Sequence, residues 1–109
     1  MTHLGKTLLV ANPVAQNGNG AAAAQRAGDE LRRLLPEGCF DLAMTEYPLH
    51  GKRIAGQATG YDSVVALGGD GLIHEVANGL MSIDEGARPA LGVLPMGSGN
   101  DYARTLGLS

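Results

Sequence analysis

Three short loops carry the residue types that hold phosphate. Gly68-Gly69-Asp70-Gly71 follows the apolar run Ser63-Val64-Val65-Ala66-Leu67 and precedes a segment of helical periodicity. Glycines at such a junction let the backbone come close to a ligand and take positive φ. The helix behind them aims unpaired N–H groups and a partial positive charge at the same spot, which makes a phosphate site. Asp70 is the odd member, because a carboxylate repels phosphate. It fits there if it faces a Mg²⁺ shared with the phosphates or bonds a hydroxyl; in the plainer reading it caps the helix. The second loop, Gly97-Ser98-Gly99-Asn100-Asp101, again leaves N–H groups open, and Ser98 adds a hydroxyl. There the plainer reading is a turn with Asn100 or Asp101 as the cap. The third, Asn12 to Gly20, is the least specific, since an Asn-Pro pair with later glycines is commonly a turn.

Together the three loops suggest a ligand with an extended polyphosphate. Neither G-x-G-x-x-G nor G-x-x-x-x-G-K-[ST] occurs, so the two best-known nucleotide fingerprints are absent.

The elements that must position these loops alternate. Thr7-Leu8-Leu9-Val10-Ala11 is a short apolar run, read as a strand buried on both faces. Ala24, Ala27, Leu31, Leu34 and Leu35 recur at helical spacing and predict a helix over about residues 21–35, ended by Pro36 and Gly38. A weaker strand, Phe40 to Met44, follows. The next helix is expected over about residues 49–59, after Pro48 and before Gly60. Ser63 to Leu67 is the third strand. Ile73, Val76, Ala77 and Leu80 then line one face of a third helix, Ala90 to Leu94 forms a fourth strand, and a short helix spans about residues 101–106. The order βαβαβαβα implies a parallel sheet with helices on both faces, a three-layer Rossmann-like α/β domain. Its crossovers are right-handed, and every strand-to-helix loop emerges at the carboxyl edge, where ligands bind.

Composition narrows the classes. The 109 residues fit one domain. Lys plus Arg total 8 and Asp plus Glu 11, a net charge of −3, which argues against a nucleic-acid surface driven by bulk charge. A single cysteine, Cys39, excludes an internal disulfide and a Cys-based zinc site. His3, His50 and His74 are too scattered for a His-rich metal site, and no stretch approaches the length of a membrane span. The expectation is a cytoplasmic domain. Other residues read as structural. His74 sits at a surface or boundary position. Glu75 either bonds Asn78 or reaches the phosphate region. Arg26, Arg32 and Arg33 form a solvated face, Arg104 pairs with Asp101, Met44, Met81 and Met96 fill gaps, and Cys39 is a small buried apolar residue.

These motifs resemble the diacylglycerol kinase catalytic domain family. Val64 to Gly71, then Glu75-Val76 and Asn78-Gly79-Leu80, is similar to its GGDGT…NEV-NGL signature. Leu91-Gly92-Val93-Leu94-Pro95-Met96-Gly97-Ser98-Gly99-Asn100-Asp101-Tyr102-Ala103-Arg104 looks like its LGxxPxGTxNDFAR segment, and Asn12-Pro13 stands where the family has NPxSG. The resemblance covers essentially the whole chain and extends, more distantly, to NAD kinase. It implies that the chain, residues 1–109, is the ATP-binding half of a lipid kinase that transfers the γ-phosphoryl group of MgATP to a lipid hydroxyl, such as that of diacylglycerol.

By the same resemblance, Gly68, Gly69, Asp70 and Gly71 would hold the phosphates and Mg²⁺, with Asp70 as the metal-positioning residue. Ser98, flanked by Gly97 and Asn100, would give a hydroxyl contact. Asn12 and Pro13 would line the nucleotide cleft, Thr45 would touch the nucleotide, and Glu75 would belong to the cofactor-binding set. Three positions depart from the family pattern: Leu72 for the Thr of GGDGT, His74 for the Asn of NEV, and Ala15-Gln16 for Ser-Gly. Leu72→Thr, by restoring a hydroxyl, is expected to tighten nucleotide binding by about 0.5–1.5 kcal/mol.

A second, β-rich domain is expected downstream, carrying the lipid site, the general base and a peripheral, transient membrane contact. The isolated chain would then be silent. The expected partners are the lipid and a second copy of the chain, with no nucleic acid. The alternatives are an NAD kinase-like enzyme, or a degenerate domain that binds nucleotide without turnover.

Overall fold

The computed structural model describes residues 5–13 and 20–94. The loop residues 14–19, the Gly97, Ser98 and Asn100 segment, Met96, Arg104 and the expected helix over 101–106 lie outside the described residues. Within them the order is β1 (Thr7–Ala11), α1 (Gly20–Leu34), β2 (Phe40–Met44), α2 (His50–Gly56), β3 (Ser63–Leu67), α3 (Asp70–Met81), a 3₁₀ turn (Glu85–Ala87) and β4 (Ala90–Leu94). All four strands begin and end where the apolar runs predict. Helix α2 is shorter than expected. The Gln57 N–H is shared between the Arg53 and Ile54 carbonyls, and the Ala58 N–H bonds the Ala55 carbonyl, three residues back, which tightens the chain out of the α-helix after Gly56.

The sheet is parallel throughout, in the order β2-β1-β3-β4. Thr7 pairs with Phe40 on one side and Ser63 on the other, and the register runs unbroken to Ala11, opposite Met44 and Leu67. Strands β1 and β3 are buried at every residue. That is why both read as continuous apolar runs rather than as alternating ones.

Helix placement follows from handedness. The crossover from β1 to β2 runs one way across the sheet, and those from β2 to β3 and from β3 to β4 run the other way. Right-handed crossovers therefore put α1 on one face and both α2 and α3 on the opposite face. The core divides in that way. Leu9, Ala11, Val65, Leu67 and Leu94 pack under Ala23, Ala24, Ala27 and Leu31 of α1. Leu8, Val10, Val64 and Ala66 pack under Ala55 of α2 and Leu72, Val76 and Leu80 of α3. The buried stripe of α3 is Leu72, Val76, Gly79 and Leu80, so Ile73 and Ala77 flank the core rather than centre it. Met81 corrects its expected role: it is 66% exposed, one residue past the stripe. Met44 does pack against the first core, Cys39 is only half-buried, and Arg32 and Arg33 pair on the surface with Asp29 and Glu30.

The amino edge is closed by polar ties. Asp62 accepts the Lys6 backbone N–H at 2.8 Å, and the Lys6 ammonium lies 4.7 Å from the centre of the Tyr61 ring. Tyr61 donates its hydroxyl to Asp41, and this bond, helped by partial burial, pushes the phenol up to about 12. At the end of α3, the Arg88 guanidinium bonds the carbonyls of Leu80 and Ile83 at 3.1 and 3.0 Å, which satisfies acceptors the helix leaves open.

Helices α2 and α3 touch at backbone distance. A Cβ on Gly79 would lie 2.2 Å from the Lys52 carbonyl oxygen and 2.7 Å from the Ala55 Cβ. Only a hydrogen fits, so Gly79→Ala forces the two helices apart. It should cost about 1–3 kcal/mol, as overpacking does, in urea denaturation. Gly86→Ala, where a Cβ meets nothing within 4 Å, should stay within about 0.5 kcal/mol of the parent.

Candidate functional site

The reversal of strand order falls between β1 and β3, whose outgoing connections diverge to opposite faces. In open parallel sheets the crevice at that point, beyond the carboxyl ends, is where ligands sit. A cavity of about 390 Å³ lies at this edge. It is lined by Asn12 after β1, Thr45 to Pro48 after β2, and Gly71, Leu72 and Glu75 of α3. Its size is within the range of small-molecule sites.

Each wall has a local cause. Thr45 donates its backbone N–H to the Ala11 carbonyl at 2.9 Å, extending the β1–β2 ladder by one rung and setting Thr45, itself buried, beside Asn12. Pro13 follows at the start of the turn into α1, and its carbonyl accepts the Ala21 N–H at 3.1 Å. At the end of β3, Gly68 has φ +157°, a value that side-chain-bearing residues rarely adopt, and a Cβ there would meet Leu72 Cδ2 at 3.1 Å. This turn feeds the chain into α3 with Gly69 at the N-cap in extended conformation.

Asp70 is thus the first helical residue and not the cap, which corrects the plainer reading of that loop. Gly69, Asp70 and Gly71 are all exposed at the positive end of α3. Among the described residues no group of three or more His, Cys, Asp or Glu side chains could hold a metal. Mg²⁺ does not require one, because it binds through one or two carboxylates plus substrate phosphates. A single exposed carboxylate beside free helix N–H groups fits that mode.

Glu75 bonds Gly51 rather than Asn78, and it stands with Gly71 in the lining of the cavity. Its Oε1 accepts the Gly51 backbone N–H at 3.1 Å. Gly51 stands in the first turn of α2, whose N–H groups lack helical partners, so Glu75 ties α2 to α3 at the cavity wall. His74, as expected, faces outward. Of the expected site residues, then, Asn12, Thr45, Gly71 and Glu75 converge on one cavity, while Pro13, Gly68, Gly69 and Asp70 adjoin it along the chain.

Glu46, Tyr47 and Pro48 are lining residues that the motif reading passed over. The signal was available: β2 ends at Met44, so its outgoing loop also had to emerge at the carboxyl edge.

The sequence model of the diacylglycerol kinase catalytic domain matches residues 6–109, and the chain belongs to that family. A curated relative, diacylglycerol kinase of Bacillus subtilis, is 44% identical over 78 residues, which cover 63% of this chain and 25% of the relative. Another, named "Probable lipid kinase YegS-like" in Chromohalobacter salexigens, is 50% identical over 60 residues, 53% of this chain and 19% of its own. A crystal structure of a diacylglycerol kinase from Bacillus anthracis superposes with a TM-score of 0.74 at 28% identity, covering all of this chain and 39% of that one. The chain thus spans well under half the length of these relatives. It is similar to their α/β portion, with the parallel four-stranded sheet described above.

Leu72 departs from the family motif for a packing reason. It is 7% exposed, belongs to the core under α2 and α3, and its two methyl carbons stand against Gly51 and Gly68. Leu72→Thr therefore trades core packing for a hydroxyl. Its loss of roughly 1–3 kcal/mol in folding stability should exceed the gain from one hydrogen bond, and should appear as a lowered thermal midpoint by calorimetry.

Proposed function

We propose that this chain is the donor-side half of an ATP-dependent lipid kinase, which transfers the γ-phosphoryl group of MgATP to the hydroxyl of a lipid such as diacylglycerol. The observation that carries the reading is convergence: Asn12, Thr45, Gly71 and Glu75, drawn from three separate connections, line one cavity at the strand-order reversal in a chain of this family.

Phosphoryl transfer asks a protein mainly for positioning and charge neutralisation. The first turn of α3 supplies N–H groups and a helix dipole to the phosphates. Asp70, exposed at its first residue, would hold Mg²⁺ together with phosphate oxygens. When bound there, Mg²⁺ would supply charge neutralisation to the phosphate oxygens. Thr45 and Asn12 fix the nucleoside end of the cleft, and Glu75 keeps α2 against α3 so that the cleft holds its width. In this reading the acceptor's proton would be taken by a group outside these residues, where the lipid site and the membrane contact would also lie. The names of the relatives favour a lipid acceptor over NAD.

In the intact enzyme, Asp70→Asn should lower the rate of lipid phosphorylation at least about 100-fold, as loss of transition-state electrostatics does. The thermal midpoint should hold, since the side chain is exposed. Turnover near the parent rate with MgATP would remove Asp70 from this role.

A further inference from the structure

Tyr47 is 48% exposed, yet it is held from several directions. The His50 imidazole stacks against one face of its ring, with centroids 4.2 Å apart and planes 16° from parallel. Arg53 Nη1 donates to its hydroxyl at 3.3 Å. The imidazole is fixed in turn, since its Nδ1 accepts the Glu46 backbone N–H at 2.9 Å and the His50 backbone N–H donates to the Tyr47 carbonyl at 3.1 Å. The loop also carries a strained residue, Leu49, at φ 69° and ψ 4°. It is the only non-glycine residue at positive φ among those described, and its side chain is 65% exposed. An aromatic ring backed on one face, tethered at its hydroxyl and set in the wall of a cavity is a preorganised stacking surface.

We propose that Tyr47 is the platform on which the nucleobase stacks, with His50 and Arg53 as its positioning residues. The inference rests on the nucleotide reading of the cavity and adds the determinant that separates a nucleotide from a bare polyphosphate. The phosphate-facing elements lie on α3, and Tyr47 lies on the β2–α2 loop that lines the same cavity. A base on Tyr47 and phosphates at Gly71 therefore place one ligand along the crevice. Stacking needs only a π-face, so it is tolerant of base identity.

Calorimetric titration of the intact protein with MgADP and, separately, with magnesium tripolyphosphate tests this. Base–aromatic stacking is worth about 1–3 kcal/mol by alanine substitution. Tyr47→Ala should therefore raise the Kd for MgADP about 5–100-fold and leave that for tripolyphosphate within about twofold. Tyr47→Phe, which keeps the ring, should bind MgADP within about twofold of the parent. In the unchanged protein, the Tyr47 ring protons should shift upfield when MgADP binds. Unaltered MgADP affinity in Tyr47→Ala, or an equal loss for both ligands, overturns the platform while leaving the phosphate site standing. Failure of the unchanged protein to bind either ligand overturns both.

Discussion

The reversal of strand order between β1 and β3 is the constraint on which the rest depends. Handed crossovers oblige the chain leaving β1 and the chain leaving β3 to turn to opposite faces, and a crevice opens between them. Asn12 and Gly68 stand at its two sides because Ala11 and Leu67 are paired in register at the ends of their strands. A shift of one residue in that register would reverse which side chains face each helix layer. The complete burial of both strands makes such a slip costly.

The same packing that fixes the sheet also shapes the site. Leu72 belongs both to the core and to the cavity wall, so the floor of the cleft is as rigid as the interior beneath it. Glu75 spends its carboxylate on the Gly51 N–H, joining α2 to α3, and Gly79 lets the same two helices meet at backbone distance. The loop that bears Tyr47 hangs from α2. Its position at the cavity is therefore set by the α2–α3 contacts, of which Glu75 itself lines the cavity and Gly79 lies away from it.

Much of this was legible in the sequence. The two central strands stood out as apolar runs, because strands buried on both faces carry no polar alternation. Strands β2, interrupted by Asp41, and β4 are partly exposed and gave a weaker or shorter signal. The Gly68-Gly69-Asp70-Gly71 junction marked the start of α3, which begins at Asp70. What the sequence did not carry was side-chain direction. Glu75 at helical spacing from Asn78 suggested a local bond, but its partner is Gly51, 24 residues away. Leu72 looked like a lost hydroxyl, yet it fills the space between two glycines of different elements. Met81, expected to fill a gap on residue type alone, is exposed because it falls one position past the buried stripe that ends at Leu80. Tyr47 was passed over because no motif contains it, and only the tertiary arrangement turns it into a wall of the cleft.

The central claim is that this domain receives a nucleotide at the carboxyl edge of its sheet. Backbone amide shifts followed by NMR during MgADP titration test it most directly. The largest changes should fall at Asn12, Thr45 and residues 69–72, with the amino edge around Lys6, Asp62 and Arg88 unmoved. Changes centred on that amino edge, or none at millimolar MgADP, would contradict it.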